Sequence, residues 1–139
     1  MKIQLNKHTS DKGIQISSFK AELFSSIAVY RSSFGNVGNL TEKLVKLIDK
    51  RKCVLIIGDF NICIKKKPNN TVTTMLISQD FISLLDEATH IDGGYIDQTY
   101  WKDEDQEFYQ PKVERYSPYY SDHDAICITL TQKDTKLKK

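Results

Sequence analysis

Three groups of polar residues, each beside an apolar run, hold the side chains of this 139-residue chain best suited to chemistry. The first is Asp59 with Asn61, which follow Val54-Leu55-Ile56-Ile57-Gly58. The second is Asp97, set between Ile96 and the stretch Gln98-Thr99-Tyr100-Trp101. The third is Asp122 with His123, just ahead of Ala125-Ile126-Cys127-Ile128-Thr129-Leu130. A carboxylate inside a buried strand is costly unless it is paired or holds a metal. Asp97 therefore wants a partner, and His123 is the natural candidate. Together the groups could support metal-assisted hydrolysis. Hard divalent cations take carboxylate oxygens together with substrate phosphate. An Asp can orient or deprotonate a water, while an Asp–His pair holds an imidazolium against developing negative charge. Each group also has a bland reading. Gly, Asp and Asn are ordinary turn residues, His123 fits a surface turn, and Asp122 and Asp124 fit caps. Singly the bland readings are favoured; the occurrence of all three groups in this order argues for chemistry.

These residues need elements to carry them. Val54 to Ile57 is apolar and rich in β-branched residues, as in a strand buried on both faces. On an extended backbone, Asp59 and Asn61 at i and i+2 would point to the same side. They would sit at the carboxyl end of the strand, where open α/β sheets bind ligands. Before this strand, residues 6–13 are polar and rich in turn formers. Alternation at Ile14 and Ile16 predicts a short strand ending near Lys20, and Leu23 to Tyr30 a second one antiparallel to it. Ser32 to Asn39, with Gly35, Asn36 and Gly38, reads as a loop. A helix follows, with Asn39 as cap and Glu42 completing a capping box. Leu40, Leu44, Leu47 and Ile48 give it one apolar stripe. Lys50, Arg51 and Lys52 suit the negative end of its dipole.

Beyond Asn61, Ile62-Cys63-Ile64 stays apolar, and residues 65–70 with Pro68 form a loop. Thr73 to Gln79 reads as a short helix. Phe81, Ile82, Leu84 and Leu85 mark another buried element, either helix or strand. Gly93-Gly94 breaks the chain before an aromatic strand from Tyr95 to Trp101. An acidic loop at 102–107, a β-like segment at Val113 to Tyr116 and a strand at Ala125 to Leu130 complete the pattern. Residues 132–139 are a polar, Lys-rich tail that should fray. Loop–helix–strand order of this kind belongs to a layered α/β domain, and nothing suggests a second one.

Composition narrows the function only modestly. Apolar content of 40%, charged content of 27% and a net charge of +2 describe a globular protein, not a polycation. Lys65-Lys66-Lys67 and Asp103-Glu104-Asp105 are short like-charge runs of the kind that usually form solvated loops. The three cysteines, Cys53, Cys63 and Cys127, have no CxxC spacing, so neither a zinc site nor a disulfide framework is expected. They read as reduced, buried thiols of an intracellular protein. No apolar run reaches the roughly 20 residues of a membrane span, and no apolar segment follows the basic start, so neither a membrane nor a signal peptide is expected.

Gly58-Asp59-Phe60-Asn61, Ile96-Asp97 and Ser121-Asp122-His123, in this order, resemble the endonuclease/exonuclease/phosphatase superfamily of metal-dependent phosphoesterases. The likeness is greatest to endonuclease domains carried by mobile elements, whether retrotransposons or helicase-fused transposons. Val29-Tyr30-Arg31 is similar to the family's Tyr-containing motif, although Ser32-Ser33 stands where a proline is usual. The resemblance implies a four-layer α/β sandwich, with two sheets face to face and helices outside. It implies that Asp59 positions the attacking water, that Asn61 helps hold water and phosphate, and that Asp97 orients His123. His123 would stabilise the phosphate in the transition state, Tyr30 would hydrogen-bond it, and Asp122 with Asp59 would hold the metal. Arg31, Lys65 and Lys66 are the basic side chains placed to meet substrate phosphate. The implied cofactor is Mg²⁺, with Mn²⁺ able to replace it. The implied substrate is DNA, and with it a nuclear location.

The likeness covers residues 14–130, the C-terminal part of the family fold. The family's early Asn motif and its metal-ligating Glu are not found, since Glu22 lies too close to the tyrosine motif. The chain thus reads as a single partial domain over 1–139 whose N-terminal half is missing or fused elsewhere, with reduced metal affinity and weak or no activity alone. Two other readings stay open. One is a phosphatase or lipid phosphodiesterase on the same fold, although the inositol-phosphatase signature and lipid-specific insertions are absent. The other is a non-enzymatic remnant or interaction domain.

Overall fold

The structure, a computed structural model, describes residues 4–21, 24–48, 53–85, 96–103, 109–116, 122–123 and 125–132. In chain order its elements are β1 (Gln4–Asp11), β2 (Ile14–Lys20), β3 (Ser25–Arg31), α1 (Val37–Ile48) and β4 (Cys53–Asp59). There follow α2 (Thr71–Ser78), the two-residue β5 (Ile82–Ser83), β6 (Asp97–Asp103), β7 (Tyr109–Tyr116) and β8 (Ala125–Gln132). Among the described residues, one sheet has the order β1-β2-β3-β4-β6-β5, and β7 pairs with β8 in a second. β3 and β4 are parallel and are joined through α1, while β4 and β6 are antiparallel.

β4 is central because both of its faces are covered. Val54 and Ile56 point into a core with Ile27 and Val29 of β3, Leu44 of α1 and Leu76 of α2. Cys53 and Leu55 point the other way, against Phe24, Trp101, Tyr109 and, from β8, the half-buried Ile128 and Leu130. Each such side chain taken fully from water contributes about 1.5–3 kcal/mol. A strand apolar on both faces cannot set its own register by alternation. Its neighbours do so. β2 alternates strictly, with Ile14, Ile16 and Ser18 buried, and Gly58 pins β4 to β3. A Cβ on Gly58 would collide with the carbonyl oxygen of Val29 and stand 2.7 Å from its carbonyl carbon. Glycine thus permits a close approach that locks Val29 opposite Gly58 and Tyr30 opposite Asp59.

Of the four layers expected, the described residues build three: α1 and α2, the six-stranded sheet, and the β7–β8 pair on its far face. The strand at Ile14–Lys20 and its antiparallel partner occur as expected, as do the 53–58 and 125–130 strands, each slightly longer. The turn-rich reading of residues 6–13 is corrected. Gln4–Asp11 is a strand that pairs with β2 through a two-residue turn, Lys12 (φ 46°) and Gly13 (φ 82°). Two positive φ values make it the primed turn that suits strand twist. The helix start is corrected too: α1 begins at Val37, and Asn36, not Asn39, caps it by accepting the Asn39 N–H at 2.9 Å. Leu40, Leu44 and Ile48 form the buried stripe as expected. α2 starts at Thr71 under an Asn70 cap, and the ambiguous 81–85 element contains only the short β5, with Phe81 and Leu85 buried beside it. β6 runs through Asp103, where a loop was expected.

The three cysteines form no disulfide, but only Cys53 is buried; Cys63 is half-buried and Cys127 exposed. Among the described residues, no helix is long and apolar enough to cross a membrane. The readings on Glu22, on Lys50 to Lys52, on Gly93-Gly94, on the acidic loop from 104, on Ser121 and on the tail beyond 132 lie outside the described residues.

Candidate active site

The register of the large sheet brings the site together. Tyr30 pairs with Asp59, and Asp59 with Asp97, so three side chains form a row across β3, β4 and β6. By strand alternation they leave the same face as Leu55 and Trp101, the face that meets the second sheet. His123 arrives just before β8, from the opposite layer. Its Nδ1 stands 2.7 Å from Oδ2 of Asp97, and its Nε2 3.8 Å from Oδ2 of Asp59. The ring thus spans the two carboxylates. Gly58, Asp59, Asp97, His123 and Ile126 line an open pocket of about 240 Å³. The predicted Asp97–His123 pair exists.

The electrostatics follow from that placement. The hydrogen bond to Asp97 raises the His123 pKa above its ordinary value. Burial works against this, and the charges of Asp97, Asp59 and Asp122 add to it. An imidazolium held in this way is a donor aimed at whatever anion enters the pocket. Ligand atoms of Asp59, Asp97 and His123 all lie within 4.8 Å of one another, so the three form a possible metal site. The donor chemistry divides them. The carboxylates suit a hard cation, whereas the His123 ring, with Nδ1 already bonded to Asp97, offers only Nε2. Asp122, expected at the metal, is exposed and stands outside this group.

The backbone after β4 differs from the expectation. β4 ends at Asp59, and Asn61 has a φ of 51°, so the chain bends instead of continuing extended. Asp59 Oδ1 accepts the Asn61 N–H at 2.9 Å, a turn built by the side chain itself. The turn reading is therefore correct here, and Asp59 lines the pocket as well. Buried Phe60 plugs the core below the turn, and its N–H donates to the Ile96 carbonyl at 2.9 Å. Gln98 donates to the Ile62 carbonyl at 2.8 Å.

Arg31 holds this turn from beneath. Its Nε donates to Phe60 O at 2.7 Å, its Nη1 to Gly35 O at 2.6 Å and its Nη2 to Asn61 O at 2.7 Å. The side chain is 7% exposed. Expected to meet phosphate, Arg31 is placed instead as a brace between two loops. Burial lowers its pKa, and the charge of Asp59 opposes that. The motifs missed Gln98 altogether and gave Arg31 a different task. The available signal was parity: Arg31 lies two residues from buried Val29 and so faces the core, where a cation must find acceptors. Tyr30 is 47% exposed beside Asp59, and Lys65 and Lys66 are exposed in the turn after Cys63.

No protein-family model matches the sequence, and no curated protein sequence matches it. Solved structures do match. The endonuclease domain of TRAS1, a telomere-specific non-LTR retrotransposon, aligns with a TM-score of 0.59 at 16% identity, over 85% of this chain and 61% of that one. CdtB, the biologically active subunit of cytolethal distending toxin, gives 0.61 at 14% identity, over 92% of this chain and 56% of its own. The Haemophilus ducreyi cytolethal distending toxin gives 0.58 at 14%, over 93% and 58%. The chain has the mixed α/β fold of endonuclease/exonuclease/phosphatase-type domains and spans 56–61% of the length of these structures.

Proposed function

We propose that this chain carries the His-bearing part of a divalent-metal-dependent phosphodiester hydrolase that cuts DNA, of mobile-element origin. The observation that carries the reading is the Asp97–His123 hydrogen bond at 2.7 Å, poised beside Asp59 in one open pocket. The fold likeness to an endonuclease domain supports it. Asp97 holds the imidazolium through Nδ1 and leaves Nε2 to donate to a phosphate oxygen as charge builds there. Asp59 orients water for in-line attack and, by its carboxylate chemistry, is the residue to hold Mg²⁺ or Mn²⁺, with Asp122 nearby in sequence. A bound divalent ion supplies Lewis-acid polarisation of the phosphate. Tyr30, the register partner of Asp59, and Asn61, in the turn after it, contact the phosphate, with Lys65 and Lys66 reaching the backbone beyond.

One carboxylate is a weak cage for Mg²⁺, which takes one or two together with substrate oxygens. Activity of the 139-residue chain alone is therefore expected to be low. The test is nicking of supercoiled plasmid with Mg²⁺, with Mn²⁺ and with EDTA, beside Asp59→Ala and His123→Ala. Metal-dependent nicking lost in both variants supports the reading. A folded chain that never nicks, even in millimolar Mn²⁺, sinks it for this chain and leaves an interaction domain.

A further inference from the structure

Phe34 stands 79% exposed on the loop between β3 and α1, and the mechanism above gives it no task. The loop is firmly held. The Ser32 N–H donates to Gly13 O at 2.8 Å and the Gly35 N–H to Ser32 O at 3.0 Å. Arg31 grips the Gly35 carbonyl, Gly35 is buried, and Asn36 caps α1. On its inner side the Phe34 ring meets the hairpin turn between β1 and β2. A Cβ on Gly13 would stand 2.9 Å from the Phe34 Cε2. Exposed Lys12 belongs to the same turn. Hairpin tip and loop thus form one buttressed unit that presents an aromatic ring and a cation to solvent.

The place matters as much as the exposure. Gln15 on β2 pairs with Tyr30 on β3, which pairs with Asp59 on β4. Gln15 is thus two strand spacings, roughly 10 Å, from Asp59, and Gly13 precedes β2 at this same end of the sheet, where Arg31 ties the Phe34 loop to the Asn61 turn. A nucleic-acid strand that crosses this end of the sheet meets the Phe34 loop within a few nucleotides of the cleaved bond. Partly exposed Tyr30 lies between.

We propose that Phe34, with Lys12 on the adjoining turn, is a stacking platform for an unpaired base of the substrate strand, a few nucleotides from the scissile phosphate. The proposal rests on the nuclease reading and deepens it: the substrate has unstacked bases next to the cut. A preorganised ring loses little entropy on stacking, and every base offers it a face. A paired base inside a duplex does not.

The experiment measures binding of fluorescent oligonucleotides in EDTA, so that cleavage plays no part. The intact 139-residue chain, Phe34→Ala and Phe34→Trp are titrated with a single strand, the same strand with abasic sites throughout, and the matched duplex. Urea midpoints of the three proteins confirm equal folding. The expected result is about tenfold weaker single-strand binding for Phe34→Ala, restored by Phe34→Trp, with the abasic strand and duplex nearly unaffected. Equal losses on all three ligands, no loss on any, or no binding by the parent chain would each overturn the proposal. Failure here with nicking intact leaves the nuclease reading standing. Base-dependent binding through Phe34 without nicking overturns catalysis instead.

Discussion

Replacing Arg31 by Met tests whether a single buried guanidinium sets the shape of the site. Met keeps the length and apolar stem but removes every donor. Three main-chain carbonyls lose their partner, those of Gly35, Phe60 and Asn61. The bonds to Gly35 and Phe60 are buried and the one to Asn61 is partly buried, so water can compensate chiefly at Asn61. Two dry orphan carbonyls at about 1–3 kcal/mol each give a loss near 4 kcal/mol. Relief from burying a cation offsets part of this and leaves about 3 kcal/mol. With a urea m-value near 2 kcal/mol/M, the unfolding midpoint should drop by about 1.5 M. Lys in place of Arg offers one ammonium that cannot reach three carbonyls, so it should recover less than half. Loss of nicking should exceed loss of folded protein, because Asn61 is freed from its positive φ. An Arg31→Met midpoint within about 0.3 M of the parent would refute the brace.

The other predictions concern the pair, the register and the cap. His123 should titrate above its ordinary pKa, because its hydrogen bond to Asp97 favours the charged ring. A folded-state pKa above the unfolded one gives stability that is full below about pH 6.5 and is lost as pH rises through the folded value. Proton NMR of the His123 ring should show that raised midpoint, and Asp97→Asn should bring it down; a midpoint that ignores Asp97 denies the pair. Gly58→Ala drives a methyl into the Val29 carbonyl and should destabilise by about 1–3 kcal/mol in urea. It should also disturb the Tyr30–Asp59 row, so a variant of parental stability and activity would sever register from site. Asn36→Ala should cost about 1 kcal/mol and Asn39→Ala almost nothing, and the reverse order would reinstate the sequence-based cap.

What the sequence disclosed is what leaves a pattern within a few residues. β2 shows alternation and β4 an unbroken apolar run, so both were legible. The Asp97–His123 pair was legible for another reason: a carboxylate at the start of an aromatic strand needs a partner, and few candidates exist. β1 left no such mark. It is a polar edge strand, largely exposed, and its Lys12-Gly13 turn lacks the Asn-Gly signature. The helix cap was misplaced because Asn36 and Asn39 are both competent, and the Glu42 spacing favoured the wrong one. Asn61 defeated the i, i+2 rule, which presumes an extended backbone. Arg31 was misread because its acceptors at Phe60 and Asn61 are 29 and 30 residues away.

The chemistry and the layer packing are one problem in this fold. Asp59 and Asp97 belong to the large sheet, whereas His123 comes with the strand that follows it in the small one. The hydrogen bond that charges the histidine therefore forms only when β7–β8 is docked. That docking rests on Tyr109, whose ring meets Phe24 edge-on at 5.4 Å and Trp101 at 6.3 Å, with Leu55 in the same cluster. A two-stranded pair is marginal without such support. Phe19, Phe24, Leu55, Ile128 and Leu130 also line an open hollow of about 370 Å³ along the same interface. Anything that loosens β8 there shortens the time His123 spends against Asp97. Low activity of the isolated chain would then have two separable causes, a sparse metal cage and a loosely seated histidine. The NMR titration of His123 reports the second without any metal present, and so divides them.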